Sequence, residues 1–178
     1  DYAGSDAANT RYLKYSTREP ALLMAASAMC DGRIADAERL LKSRLFEVPT
    51  DVAAMRMLAE LAVRLGRNDD AKALLQRCLE LAPGFQAARQ NYAMVLHREN
   101  EPELALSELE LLLAADAENA SALNLKAAVL CRVGDYVPAI AIYERVLLGY
   151  PTQPRLWLSY GHALKTAGQQ AESIAAYR

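Results

Sequence analysis

The stretch ASALNLKAAVLCRVGDYVPAIAIYERVLLGYPTQ, residues 120–153, decides the fold. Its apolar residues recur with helical spacing in two blocks, Leu123, Ala127 and Leu130 before Gly134, and Ala139 and Tyr143 after it. A glycine between two such blocks suits the left-handed residue that closes a helix. Pro138 sits near the start of the second block, where a helix tolerates a missing N–H. Pro151 marks the exit. The stretch therefore reads as a helix, a tight turn, a second helix and a proline-marked turn.

The same punctuation returns along the chain every 34 residues. Gly32, Gly66, Gly134 and Gly168 share one grid, broken only by Asn100. Pro49, Pro83 and Pro151 share it too, with Ala117 in the missing place, and so do Ala37, Ala71, Ala105 and Ala139, followed by Ser173. Spacing this regular means that one helical unit is copied and stacked. Repeats are expected at 18–51, 52–85, 86–119, 120–153 and 154–178, the last cut short at its 25th position. Two helices alone cannot bury their apolar faces, so neighbours must stack. Residues 1–17 fall outside the grid as an N-terminal extension, in which Arg11-Tyr12-Leu13-Lys14-Tyr15 could form a short capping helix. No capping helix follows the last repeat, so the chain is expected to be a piece of something longer, or to expose apolar surface around Ile174 and Tyr177 through which copies could associate.

The residue types at each position resemble the tetratricopeptide repeat, whose pattern is W-x2-L-G-x2-Y, then A-x3-F, then P. The fifth unit carries Trp157, Tyr160, Gly161, Leu164, Gly168, Ser173 and Tyr177; the second carries Met55, Leu58, Ala59, Ala62, Gly66, Ala71, Leu75 and Pro83. The first unit is similar, with Met24, Ala25, Ala28, Gly32, Ala37, Leu41 and Pro49. In the third, Arg89 and Asn100 depart from the pattern, as does Lys126 in the fourth, and local irregularity is expected there. The resemblance implies an all-α fold, an α-α superhelix of about five helix-turn-helix repeats whose first helices line a groove.

Composition narrows the function. A formal net charge of −2 argues against nucleic acid as partner, because phosphate binding needs a basic surface. No apolar run approaches the roughly 20 residues of a membrane span. Cys30, Cys78 and Cys131 are an odd number, widely spaced, with no CxxC or Cys/His cluster to hold a metal. Small buried hydrophobes in a reducing, cytoplasmic setting are the expectation. The histidines His97 and His162 lack an acidic partner at hydrogen-bonding spacing, and no nucleophile elbow, phosphate loop or dinucleotide fingerprint is present. No catalysis, cofactor or metal is expected of this segment.

The implied groove is the candidate site, for a protein or peptide segment. Its expected contacts are Arg56, Arg64, Gln90, His97, Arg98, Asn124, Arg132 and His162. Arg64, Arg98 and Arg132 recur at one position and should form a column, either clamping a carboxylate or complementing the dipole at helix C-termini. The residues that the family's two-carboxylate clamp requires are not matched: Gln90, Met94, Leu125, Arg155 and Ser159 stand there instead. A second reading starts from residues 156–168, which look like the repeat region preceding the sulfotransferase domain of many bacterial proteins. On it, this segment is the regulatory or docking arm of a larger enzyme.

Small residues at the eighth and twentieth positions of each unit let paired helices approach closely. Ala139→Leu is expected to overpack that contact and cost about 1–3 kcal/mol, read as a lowered denaturation midpoint.

Overall fold

The computed structural model describes residues 19–177. The proposed extension 1–17 and its capping helix lie outside the described residues. Among the described residues there are ten α-helices and no strands. In chain order they are α1 (Pro20–Cys30), α2 (Ile34–Glu47), α3 (Val52–Arg64), α4 (Asn68–Leu81), α5 (Gln86–Arg98), α6 (Pro102–Ala115), α7 (Ala120–Val133), α8 (Tyr136–Gly149), α9 (Pro154–Thr166) and α10 (Gln170–Ala176).

Every first helix of a pair ends on the same device. Gly32, Gly66, Gly134 and Gly168 have φ between +71° and +87°. In each case the next residue's N–H reaches back five residues: Arg33 to Ala28 O (2.8 Å), Arg67 to Ala62 O (2.8 Å), Asp135 to Leu130 O (2.9 Å) and Gln169 to Leu164 O (2.9 Å). This six-to-one closure satisfies carbonyls that the helix end would otherwise leave orphaned. A side chain at Gly134 would meet nothing within 4 Å, so glycine is required there for its backbone conformation and not for space.

The third turn corrects the expected irregularity. Asn100 takes φ +59°, and Glu101 N–H bonds Leu96 O at 2.9 Å, so the turn is the same one built without glycine. Asparagine is among the few side chains that tolerate this region. The missing proline is replaced as well. Val48, Ala82 and Tyr150, each preceding a proline, leave the helical region, with φ of −131°, −138° and −132° and ψ of 83°, 77° and 59°, as steric conflict with the following ring demands. Asp116 also leaves the helical region, with φ −146° and ψ 94°, and its Oδ1 accepts from Glu118 N–H at 3.2 Å, a side-chain turn doing the ring's work. Lys126 does not interrupt α7; its Nζ lies 3.7 Å from Glu110 Oε1. Arg89 lies within α5 and donates to Pro83 O at 2.6 Å.

Helix starts follow local rules as well. Pro20, Pro102 and Pro154 open α1, α6 and α9. Asp51 accepts from the N–H groups of Ala53 and Ala54 at 3.1 and 3.0 Å, and Asn119 from Ala122 at 3.0 Å, capping α3 and α7.

The chain divides into two compact units at Asn91 and Tyr92, within α5. In the first, α1 packs on α2 and α3, α2 on α3, and α3 on α4. Its core joins Leu22, Ala25, Met29, Ala37, Leu41, Ala54, Met57 and Leu61. In the second, α6 packs on α7, α7 on α8 and α9, α8 on α9, and α9 on α10. Here Ala127, Leu130, Ala139, Tyr143 and Ala163 form a cluster that Leu106, Ile140, Ile142 and Tyr160 extend. The small positions are all buried: Ala25, Ala59, Ala93, Ala127 and Gly161 in first helices, and Ala37, Ala71, Ala105, Ala139 and Ser173 in second helices. Ser173 is tolerated there because its hydroxyl donates to Gly161 O at 3.0 Å.

Gly134→Ala should cost about 1–2 kcal/mol through left-handed strain alone, whereas Asn100→Gly should be neutral or stabilising. Urea denaturation of the two variants checks both signs.

Candidate functional site

In the first unit the helical repeat puts Arg56, Glu60 and Arg64 one turn apart along α3. Glu60 bridges the two arginines, its Oε2 3.4 Å from Arg56 Nη1 and its Oε1 3.1 Å from Arg64 Nη2. Arg56 was expected on an open face, yet it is 1% exposed. Its Nε and Nη2 have no hydrogen-bond partner, and burial pushes its guanidinium below the ordinary arginine value against the pull of Glu60. A side chain so covered is a structural ion pair, and Arg56 leaves the list of partner contacts. Gln90 is half-buried, with neither amide atom hydrogen-bonded.

Arg64 has a second tie. Its Nη1 lies 3.5 Å from Met29 O in the last turn of α1. In the second unit Arg132 makes the equivalent bond, Nη1 donating to His97 O in the last turn of α5 at 2.9 Å. Both arginines reach a carbonyl 35 residues earlier. The arginine thus serves the C-terminus of the preceding first helix, where carbonyls lack intrahelical donors and the dipole favours a cation. Neither of the roles expected from sequence had anticipated that target.

His97 sits under this staple. Its Nε2 lies 3.5 Å from Arg132 Nη2, its Nδ1 is buried without a partner, and its pKa is lowered by burial first and then by Arg132 and Arg98. Facing an arginine, the imidazole is held neutral with Nε2 as acceptor. Arg98 and Asn124 are half-buried and Arg132 is exposed. His162 is exposed; its Nδ1 lies 3.1 Å from the Tyr177 hydroxyl, and the two rings meet edge to face with centroids 5.6 Å apart. No three potential metal ligands gather anywhere among the described residues.

Charge is sorted by helix in the second unit. Neither α7 nor α9 contains an aspartate or glutamate, while they carry Lys126, Arg132, Arg155 and Lys165. The acids of this unit lie on α6, α8, α10 and the connecting turns. A hollow of 270 Å³ opens between α7, α8 and α9, lined by Ala128, Cys131, Tyr136, Tyr143, Ser159, His162, Ala163 and Thr166. A second, of 430 Å³, is lined by Pro151, Thr152, Pro154, Trp157 and Leu158 with Ala175, Ala176 and Tyr177. Beside it Trp157 donates to Pro151 O at 2.8 Å, and Leu158 and Ile174 are exposed.

The tetratricopeptide repeat family model matches residues 28–77 and 62–129. The chain belongs to the tetratricopeptide repeat family. This tetratricopeptide repeat chain is 33% identical over 101 residues to the type IV pilus assembly protein PilF of Pseudomonas aeruginosa, an alignment covering 54% of this chain and 39% of PilF. The chain thus spans well under half the length of that relative. Among solved structures, a crystal structure of MamA protein superposes with TM-score 0.76 at 21% identity, covering 88% of this chain and 86% of that one. MamA from Desulfovibrio magneticus RS-1 gives TM-score 0.80 at 18% identity over 88% and 89%. At these identities the likeness shows a shared fold, the all-α repeat solenoid. No described helix is long and apolar enough to cross a membrane.

His97 supplies a pH test. Its folded pKa lies below the ordinary 6.5, so its contribution to stability is complete above about 6.5 and is lost as pH falls below it. Urea midpoints should decline between pH 7.5 and 5.5, and His97→Gln should flatten that decline.

Proposed function

We propose that this chain is a non-catalytic protein-binding scaffold whose first-helix face takes an acidic peptide segment. The observation that carries the reading is the sorting of charge in residues 92–178, where α7 and α9 are basic and free of acids. A face with one sign of charge steers and selects partners of the other. The contacts on that unit are His97, Arg98, Asn124, Arg132 and His162; Arg64 and Gln90 are the candidates on the first unit's own face. The repeat divisions at 18, 52, 86, 120 and 154 are the proposed building blocks of this scaffold. Free thiols at Cys30, Cys78 and Cys131 suit a reducing compartment such as the cytoplasm.

Self-association is a second reading, favoured by the exposed Leu158, Ile174 and Tyr177 around the larger hollow. The docking-arm reading keeps only the sequence likeness given at the outset, since the relatives described above are named for pilus assembly and as MamA.

The test is binding of the full chain to a labelled oligoglutamate peptide, followed by fluorescence anisotropy. The double variant Arg98→Glu/Arg132→Glu should bind at least about tenfold more weakly, and Arg132→Lys, which keeps the charge, should bind nearly as well as the native chain. Unchanged affinity in the double variant, or its failure to fold, would contradict the reading.

A further inference from the structure

The α7 wall of the hollow between α7, α8 and α9 is made by two small residues, Ala128 and Cys131. Ala128 stands where α3 and α5 carry Glu60 and Met94, though α1 carries Ala26, and Cys131 stands where α1, α3 and α5 carry Met29, Val63 and His97. The hollow measures 270 Å³, somewhat below the roughly 300–1,000 Å³ of small-molecule sites and ample for one large side chain.

Three hydroxyls around the hollow, those of Tyr143, Ser159 and Thr166, are already engaged. The Tyr143 hydroxyl is tied to Ser159, and burial pushes its pKa up to about 12, so it stays neutral. Thr166 donates to His162 O at 2.9 Å. Burial also raises the Cys131 thiol, leaving it a small apolar wall. None of the buried side-chain atoms left without a partner among the described residues belongs to this hollow. An interior whose polar groups are satisfied by their own neighbours rewards an apolar occupant and penalises a polar one. Its surroundings make the opposite demand. Arg132, adjoining Cys131, is exposed, as is Lys165, and neither α7 nor α9 holds an acid, while Asp135 and Glu144 lie on the α8 side.

We infer that the hollow beside Cys131 receives one leucine- or phenylalanine-sized side chain of an otherwise acidic segment, whose carboxylates meet the surrounding cations. This inference deepens the proposed function and rests on it. Apolar contact then supplies the register, and charge supplies the attraction.

The experiment uses the full chain and two synthetic probes, a seven-residue Glu/Asp peptide with leucine at its centre and the same peptide with glycine there. The leucine peptide is expected to bind at least about tenfold tighter. Cys131→Phe, which fills the hollow, should bring it down to the level of the glycine peptide. Ala128→Leu fills the same space from the next turn of α7 and serves if the first variant does not fold. Equal affinity of the two peptides for the native chain would overturn the hollow as an anchor while leaving the acidic-segment reading standing. Preference for leucine that survives both substitutions would overturn its location. Binding of neither peptide would overturn the acidic-segment reading, and this inference with it.

Discussion

Five residues with positive φ, one closing the first helix of each pair, are the constraint on which the rest of this structure depends. Each turns the chain so that the following N–H caps a carbonyl five residues back, ending one helix and aiming the next within two or three residues. A helix end costs several unsatisfied backbone groups, and this turn satisfies them without help from another element. Copying the turn at a 34-residue interval therefore copies the whole helix pair, and the buried alanines at fixed distances from it follow. Asn100 shows that the constraint is conformational: the residue type changes, while the dihedral angle and the hydrogen bond do not.

The same period places arginine where it has two uses. A cation near the end of one first helix lies beside the C-terminus of the first helix before it, and Arg64 and Arg132 each donate to such a carbonyl. A bond of this kind contributes about 0.5–1.5 kcal/mol. It also fixes a long side chain that would otherwise lose rotamer entropy on meeting a partner. Arg132 keeps its exposure after making the bond, so the structural contact holds a charge in place at the surface. Arg56 represents the opposite case. Its charge is spent on Glu60 inside the first unit, and nothing of it remains at the surface.

What sequence could reveal here divides along local and tertiary lines. The helix ends, the proline exits and the small packing positions depend on residues close in the chain, and Gly134, Pro151, Ala127 and Ala139 were legible for that reason. Burial of Arg56 was not, because exposure at its position depends on the size of side chains contributed by other helices. The arginine staples were hidden as well, since the acceptor is a backbone carbonyl that no residue type announces; a constant 35-residue offset from arginine to last-turn carbonyl was the available signal. The hollow could have been found from Ala128 and Cys131 by comparing volumes at equivalent positions. Asn100 and Ala117 were readable as departures from the pattern, and only the hydrogen bonds at Glu101 and Asp116 reveal that both turns are restored.

For function, the decisive element is the separation of charge between helices that share one small core. The first helices α7 and α9 are basic and free of acids, while the acids of the second unit lie on its second helices and turns, and affinity for acidic segments should reside on the first-helix side alone. Amide chemical-shift mapping of the full chain during titration with the oligoglutamate peptide tests this most directly. The account predicts that the shifts gather at the last turns of α5, α7 and α9, around Arg98, Arg132 and Lys165. Shifts centred on α6 or α8, or no shifts at all, would contradict it.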